Sequence, residues 1–301
     1  MRDIRIDNCK GVLIFVVVFG HLLELCNAGR LGNITYKLIY VFHMPAFIFL
    51  MGMVSKPKAN RIIKNICLYI VFQTAYIAFD SIVNGNPVNI HFRRPYWLLW
   101  FTLIEIYYSI LNILISKYRI NTIILFVISI AVSLLVGYVQ RIGYDLSLSR
   151  AFTFLPYYFG GMIFKQSEYR NKRNAIVDAI ALIGSLLLVG VVRISNGALY
   201  GSYSYIGGGY NPVIKLSLYI VSFSCNLAMY TYMPNRKLKG ITEIGMNTLP
   251  VYLFHGFIIL AIRKYNFFSF GVLVNYVLAV CVAIVITTAL SRIPMRMRKV
   301  I

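Results

Sequence analysis

The chain has 301 residues, of which 59% are hydrophobic and only 13% are charged, against about a quarter charged in ordinary soluble domains. This composition excludes an ordinary water-soluble enzyme. The charges are also unbalanced, with 30 Lys and Arg against 9 Asp and Glu and a net charge of +21. Because these charges stand isolated between long apolar runs, we interpret the excess of basic residues as a signal of membrane topology and not of nucleic-acid binding.

Segments long enough to cross a bilayer follow one another along almost the whole chain. A membrane core about 30 Å thick needs roughly 20 apolar residues per helix. The candidate spans are residues 10–26, 34–54, 62–83, 97–115, 120–140, 152–165, 174–193, 213–232, 247–262 and 272–291. The sequence therefore predicts an all-α, polytopic membrane protein with about ten transmembrane helices. We expect residues 1–301 to form a single transmembrane domain without an appended soluble domain.

The basic residues predict which side of the membrane each loop faces. With the N-terminus in the cytoplasm, about two thirds of the 30 Lys and Arg residues lie on the cytoplasmic side, as the positive-inside rule requires. These residues are Arg2, Arg5, Lys10, Lys56, Lys58, Arg61, Lys64, Lys117, Arg119, Lys165, Arg170, Lys172, Arg173, Arg236, Lys237, Lys239, Arg292, Arg296, Arg298 and Lys299. We therefore expect both termini in the cytoplasm.

Residues 195–212 form an external loop rich in Tyr, Ser, Asn and Gly. Such a loop suits a polar ligand such as a sugar, because rings stack on C–H faces and amides meet hydroxyls. It is equally typical of an interfacial aromatic belt with a disordered turn. The five cysteines are scattered and predict neither a disulfide framework nor a metal site.

The first predicted helix carries Asp7, Lys10, His21 and Glu24. At 100° per residue, Lys10 and His21 lie only about 20° apart on the helix face, and about 16 Å apart along its axis. Ionisable groups inside a membrane span are costly and indicate function. Lys10 is placed to hold a phosphorylated carrier at the cytoplasmic surface, and His21 to take a proton at depth. Alternatively, Lys10 reaches to the membrane surface and His21 bonds a neighbouring helix.

Several motifs carry a family resemblance. Residues 5–11 and 16–21, with Lys10 and His21 separated by ten positions, resemble the opening signature of the acyltransferase 3 family of integral-membrane O-acyltransferases. The branch described as fucose 4-O-acetylases and capsular polysaccharide acetyltransferases is most similar. Residues 42–52, 61–64, 97–101, 146–161 and 253–256 resemble later segments of that branch. Two positions depart from the family pattern, since Lys10 and Lys64 stand where the family has Arg.

The resemblance implies a function. The expected donor is cytoplasmic acetyl-CoA, no metal is needed, and the acceptor is a hydroxyl of a polysaccharide or lipid-linked saccharide at a bacterial plasma membrane. An unactivated alcohol needs a base to attack a thioester. His21 is expected to be that base or a transient acyl carrier, and the sequence does not separate the two.

The remaining candidate residues divide by expected role. Glu24 and Glu105 are expected to orient the imidazole or to bind acceptor hydroxyls, with Glu105 roughly 12 Å below Trp97 and level with His21. The alternative for Glu105 is a bond to a Tyr or Arg of a neighbouring helix. A basic rim for the phosphates of CoA is expected from Lys10, Arg61 and Lys64, with Arg5 and Asp7 beside it. Arg150, Ser149, His43 and Trp97 are expected to bind the acceptor, with pairing to Asp145 as the alternative for Arg150. We expect His255 to be structural.

Two other classes of protein fit the composition. A transporter or flippase for lipid-linked sugars also needs many helices, intramembrane charges and an aromatic outer loop. A sensory or scaffold protein does not explain the intramembrane charges. The aligned Lys10 and His21 favour the enzyme, because a transporter needs no such stripe.

Overall fold

The computed structural model describes residues 3–26, 28–85, 87–168 and 172–295. Arg2, Arg170, Arg296, Arg298 and Lys299, which the topology prediction counts as cytoplasmic, lie outside these residues. Regular structure in the described residues is helical, without strands. The helices are α1 (Ile4–Leu23), α2 (Gly29–Met53), α3 (Ala59–Asn84), α4 (Trp100–Tyr118), α5 (Thr122–Val136), α6 (Leu148–Gln166), α7 (Ala175–Leu186), α8 (Asn196–Tyr200), α9 (Tyr205–Gly208), α10 (Pro212–Tyr232), α11 (Ile241–Met246), α12 (Thr248–Lys264) and α13 (Val272–Ser291).

Each predicted membrane segment coincides with one of these helices. Among the described residues, six helices are long and apolar enough to cross a membrane: Ile4–Leu23, Gly29–Met53, Ala59–Asn84, Trp97–Tyr118, Pro212–Tyr232 and Val272–Ser291. The start of α10 has the residues that favour a helix N-terminus, since Asn211 caps the helix through its side chain and Pro212 occupies the first helical position. The all-helical, polytopic membrane fold is confirmed. The number of crossings and the side of the termini stay predictions.

Residues 195–212, the segment predicted to be external, form an ordered structure. Ser195 Oγ accepts the Ala198 amide and Ser204 Oγ accepts the Gly207 amide, both at 3.3 Å, which begins α8 and α9. Two side chains of the longer helices hold this segment in place: Lys37 Nζ donates to the Ile194 carbonyl at 2.8 Å and Ser149 Oγ donates to the Gly201 carbonyl at 3.0 Å. Hydrogen bonds therefore hold this segment in a defined conformation, and it is not a disordered turn.

Glycines allow α2 and α6 to touch backbone to backbone. A Cβ atom at Gly52 would lie 2.0 Å from the Tyr158 carbonyl oxygen, and one at Gly161 would lie 2.0 Å from the Phe49 carbonyl oxygen. No side chain fits at either position. This close crossing fixes α6 against α2 and so places Arg150, near the start of α6, across a shared cavity from Tyr40 of α2.

Replacing Gly161 by alanine is expected to lower the thermal unfolding midpoint in detergent. Alanine gains about 1 kcal/mol of helix propensity over glycine, but a methyl group against a backbone carbonyl costs about 1–3 kcal/mol or more. Gly271→Ala is the matched control, because a Cβ there meets no heavy atom within 4 Å. A Gly161→Ala protein that melts at or above the wild-type midpoint would show that the helices do not cross this closely.

Helix α1 lies at the centre of the fold, in contact with α2, α11, α12 and α13. Near its Lys10 end, Asn8 Nδ2 donates to the carbonyls of Pro234 and Arg236, both at 2.9 Å. At the other end, His21 is met by side chains of α2, of α12 and of the 3₁₀ turn Trp97–Leu99 that precedes α4. The polar stripe of α1 therefore ends where three other elements converge.

Candidate active site

The centre of the site is a pair formed by His21 and Glu24 at the end of α1. Nδ1 of His21 lies 3.6 Å from Oε2 of Glu24. The other carboxylate oxygen, Oε1, accepts hydrogen bonds from the hydroxyls of Tyr36 at 2.8 Å and Tyr40 at 2.7 Å. Glu24 is thus held by two tyrosines of α2 with one oxygen turned to the imidazole, which is the arrangement that orients a general base.

The hydrogen bonds of Tyr40 indicate which ring nitrogen of His21 carries the proton. The single hydroxyl proton of Tyr40 goes to Glu24, so the 3.3 Å contact between the Tyr40 oxygen and His21 Nδ1 has Nδ1 as its donor. We therefore assign the imidazole proton to Nδ1, which faces the carboxylate. Nε2 then carries the lone pair and is the nitrogen that can accept a proton.

A cavity of about 320 Å³ opens beside this pair, within the range of small-molecule sites of about 300–1,000 Å³. Its walls combine aromatic rings with a few polar groups. The lining residues are His21, Glu24, Tyr40, His43, Met44, Pro95, Trp97, Leu98, Trp100, Tyr144, Arg150, Phe154, Leu199 and Tyr200. Of the residues expected to bind the acceptor, the structure brings Arg150, His43 and Trp97 to His21.

Trp97 contacts the catalytic candidate directly. Its ring centroid lies 4.6 Å from that of His21, edge to face, and its backbone φ of +27° is unusual for a residue other than glycine. The residue therefore lies level with His21. Glu105, eight residues later, is about 12 Å further along the helix, and its Oε1 lies 3.5 Å from Nε of Arg61. The expectation that Glu105 shares the depth of His21 is wrong, because Trp97 does not mark the outer end of this span.

Two further histidines surround the pair. His43 and His255 are both buried, and Nδ1 of each lies within hydrogen-bonding distance of the carbonyl one turn earlier, at 2.9 Å from Ile39 and 2.8 Å from Val251. His43 lies midway along α2. The His255 ring stacks on His21 with centroids 5.6 Å apart, and its Nε2 has no hydrogen-bond partner among the described residues.

His255 is a residue whose position the sequence reasoning missed. The signal was present, since the rule that singled out His21 as an ionisable group in a membrane span applies equally to His255. Across the described residues, no three His, Cys, Asp or Glu side chains are grouped so that they could hold a metal ion.

Arg150 faces the cavity instead of an acid. Its Cζ lies 4.7 Å from the centroid of the Trp100 ring, and its Nε donates to the Tyr200 carbonyl at 3.1 Å. The alternative of a pair with Asp145 is wrong, because Asp145 is bound by Arg93 at 2.7 Å and by Arg94 at 2.8 Å. The hydrogen bond from Arg94, with the charge of Arg93, holds the pKa of the half-buried Asp145 below its ordinary value.

Ser149 does not line the cavity. Its hydroxyl is buried and donates to the Gly201 carbonyl. The side chain therefore fixes the external segment against α6, which supports the cavity wall from behind.

The residues of the expected donor rim form separate ion pairs. Nζ of Lys10 lies 3.6 Å from Oδ1 of Asp7. Nε of Arg5 lies 3.5 Å from Asp3, and Arg61 meets Glu105 as described. Lys64 is half-buried and has no carboxylate within 4.0 Å in the described part of the chain. Among the described residues, these three ion pairs share no carboxylate.

The amino-acid sequence matches a known protein family over almost its whole length. The acyltransferase 3 family, described as an acyltransferase domain, matches residues 3–292. The chain belongs to this family. It is therefore an acyltransferase, and its helices are those of a membrane protein. This membership favours the enzyme over the transporter and the scaffold.

Similarity to individual proteins is confined to a short segment. The chain is 41% identical over 64 residues to "Nodulation protein NolL" of Sinorhizobium fredii, which covers 20% of this chain and 18% of that protein. It is 39% identical over 64 residues to the protein of that name from Mesorhizobium japonicum, covering 20% and 17%. The matched segment is thus less than a fifth of either relative's length. No solved structure matches this acyltransferase.

Proposed function

We propose that this acyltransferase moves an acetyl group from cytoplasmic acetyl-CoA to a hydroxyl of a polysaccharide or lipid-linked saccharide at the opposite face of a bacterial plasma membrane. The observation that carries the proposal is the His21–Glu24 pair, which lies in the wall of a cavity large enough for a sugar. An acyl transfer to an alcohol needs a base at the hydroxyl, and this pair supplies one.

The expected reaction forms one carbon–oxygen bond, breaks one carbon–sulfur bond and moves one proton in two transfers through His21. The acceptor hydroxyl attacks the thioester carbonyl while its proton passes to Nε2 of His21. The carbon–sulfur bond then breaks, and the CoA thiolate takes that proton. Glu24 holds the Nδ1 proton and stabilises the imidazolium that forms. In the alternative route, Nε2 first attacks the thioester and expels the CoA thiolate, which leaves the acetyl group on His21 as acyl-imidazole. The acceptor hydroxyl then attacks that acetyl group, the bond to Nε2 breaks, and the hydroxyl proton goes to the released thiolate.

The two substrates are proposed to approach from opposite ends of α1. The aromatic and polar cavity beside His21 takes the acceptor, with Trp97 and His43 as walls and Ser149 supporting the external segment. The donor phosphates bind Lys10, Arg61 and Lys64, assisted by Arg5 and Asp7. Lys10 lies about 16 Å from His21 along the helix axis, so an extended donor is needed to bridge the two positions.

The donor proposal predicts an effect of Lys64→Gln that depends on the donor. The variant is expected to raise the KM for acetyl-CoA by about three- to tenfold, because a lost phosphate contact weakens binding by about 1 kcal/mol. The KM for S-acetylpantetheine, which lacks the nucleotide phosphates, should not change. Lys117→Gln, at the end of α4 on the same predicted side, is the control. Equal changes with both donors would contradict phosphate binding by Lys64.

The proposed activity itself is tested by thiol release. The purified protein in nanodiscs is mixed with acetyl-CoA, with or without a lipid-linked or capsular saccharide fraction, and free CoA is titrated. We expect thiol release to require the saccharide and the saccharide to gain a base-labile acetyl ester. If CoA is released equally without the saccharide and no acetyl ester forms, the proposal is wrong.

A further inference from the structure

Arg150 places a positive charge on the cavity wall without an acid to balance it. Its guanidinium is bound by the Tyr200 carbonyl and lies over the rings of Trp100 and Tyr144, at 4.7 and 5.4 Å from their centroids. Within the described residues, no carboxylate oxygen lies within 4.0 Å of its nitrogens. Among the described residues, Nε is the only nitrogen of Arg150 with a protein acceptor, so the terminal N–H groups remain for a ligand.

The two nearest acids in the architecture are both engaged elsewhere. Asp145, five residues before Arg150, is turned outward by Arg93 and Arg94. Glu24, which lines the same cavity, is bound by Tyr36, Tyr40 and His21. Neither can neutralise Arg150 without giving up these partners.

A charge removed from bulk water without a counter-ion is unfavourable, and aromatic faces offset only part of that cost. A guanidinium with free terminal N–H groups binds carboxylates and phosphates in a two-pronged geometry. An anion in the cavity would therefore complete the surroundings of Arg150. The acceptor is the substrate that the cavity is proposed to hold.

We infer that the acceptor of this acyltransferase is an acidic saccharide, whose carboxylate or phosphate pairs with Arg150 while a neighbouring hydroxyl faces His21. The inference rests on the proposed function and specifies its substrate class. The surroundings of the cavity agree with it: Arg93 and Arg94, whose side chains are 78% and 69% exposed, share one carboxylate. Arg94 precedes the lining residue Pro95 in the chain, and its partner Asp145 follows the lining residue Tyr144, so surplus positive charge lies beside the cavity.

The chain carries a built-in probe of this cavity. Its sequence has 2 tryptophans, and both Trp97 and Trp100 line the cavity. Because Arg150 lies over the Trp100 ring, a ligand that moves the guanidinium changes the fluorescence of that ring. Binding can therefore be measured by intrinsic fluorescence without an acyl donor, which separates this test from the test of transfer activity.

The experiment titrates the purified full chain in nanodiscs with three sugars. Methyl β-D-glucuronide and methyl β-D-glucoside differ only at C6, where the first has a carboxylate, and glucose 6-phosphate has a phosphate at that carbon. We expect at least one anionic sugar to bind about tenfold or more tighter than the glucoside. The tighter of the two identifies the anion as carboxylate or phosphate.

Three variants test whether Arg150 causes the preference for anionic sugars. Arg150→Gln should bring the anionic and neutral sugars to equal affinity, and Arg150→Lys should keep part of the preference. Arg141→Gln, an exposed arginine in the loop between α5 and α6, should change nothing. Equal binding of all three sugars by the wild type, or no fluorescence response to any of them, would overturn the inference, and this readout stands even where Arg150→Gln does not fold.

Discussion

Replacing His21 by asparagine is expected to lower kcat for acetyl transfer by about 10²–10⁴-fold, the usual contribution of a general base. The expected loss is large because Nε2 of His21 is the nitrogen that takes the hydroxyl proton in one route and the acetyl group in the other. Asparagine keeps a polar side chain of smaller volume at the same position. The measurement is the initial rate of acetyl ester formation at equal protein level, with the unfolding midpoint recorded alongside.

His91→Asn is the matched control for this substitution. His91 is exposed and its Nδ1 lies 2.9 Å from the Asn89 carbonyl, in an external loop that does not line the cavity. Its variant should transfer acetyl groups at the wild-type rate. A His21→Asn protein that is folded and fully active would remove His21 from the chemistry. A separate experiment distinguishes direct transfer from the acyl-imidazole route. The wild-type protein is mixed with labelled acetyl-CoA without acceptor and rapidly quenched, and only the acyl-imidazole route leaves label on a peptide that contains His21.

Glu24→Gln is expected to have the second largest effect, a fall in kcat of about 10²-fold or more with little change in the KM for acetyl-CoA. The glutamine has the same shape, so its oxygen can still accept from Tyr36 or Tyr40. Its amide nitrogen then donates toward His21 Nδ1, which favours the tautomer with the proton on Nε2. That tautomer has no lone pair at the reacting nitrogen.

Glu105→Gln is the control that distinguishes the two acidic residues. Both were proposed from the sequence as catalytic, but the structure pairs Glu105 with Arg61 and Glu24 with His21. Steady-state rates of the two variants, measured at saturating acetyl-CoA, should therefore differ by about an order of magnitude or more. If Glu105→Gln loses activity while Glu24→Gln keeps it, the pair described here is not the catalytic one.

The sequence alone predicts the fold class and part of the site. Apolar runs of about 20 residues specify helices through local composition, and each predicted span coincides with a helix. The position of His21 on the same face as Lys10 depends only on helical periodicity, so it could be read directly. Glu24, three residues beyond His21, lies close enough in sequence for its contact with the imidazole to be proposed.

Contacts between distant parts of the chain were not predictable in the same way. Arg93 and Arg94 pair with Asp145, and Arg94 lies 51 residues before it in the chain. No sequence periodicity predicts such a pairing. The depth of Trp97 depends on how the segment before α4 folds back toward α1, so counting residues from an assumed membrane surface misplaced Glu105. The stacking of His255 on His21 likewise requires the packing of α12 against α1.

The central claim is a transfer of acetyl from CoA to a saccharide through His21, and sealed vesicles of known orientation test it most directly. Acetyl-CoA labelled in the acetyl group is supplied on the cytoplasmic face, and the saccharide is recovered from the opposite face for mass spectrometry. The account predicts labelled, base-labile acetyl esters on the saccharide with the wild type and none with His21→Asn. Saccharide that crosses the membrane without label, equally with both proteins, would contradict it and indicate transport instead.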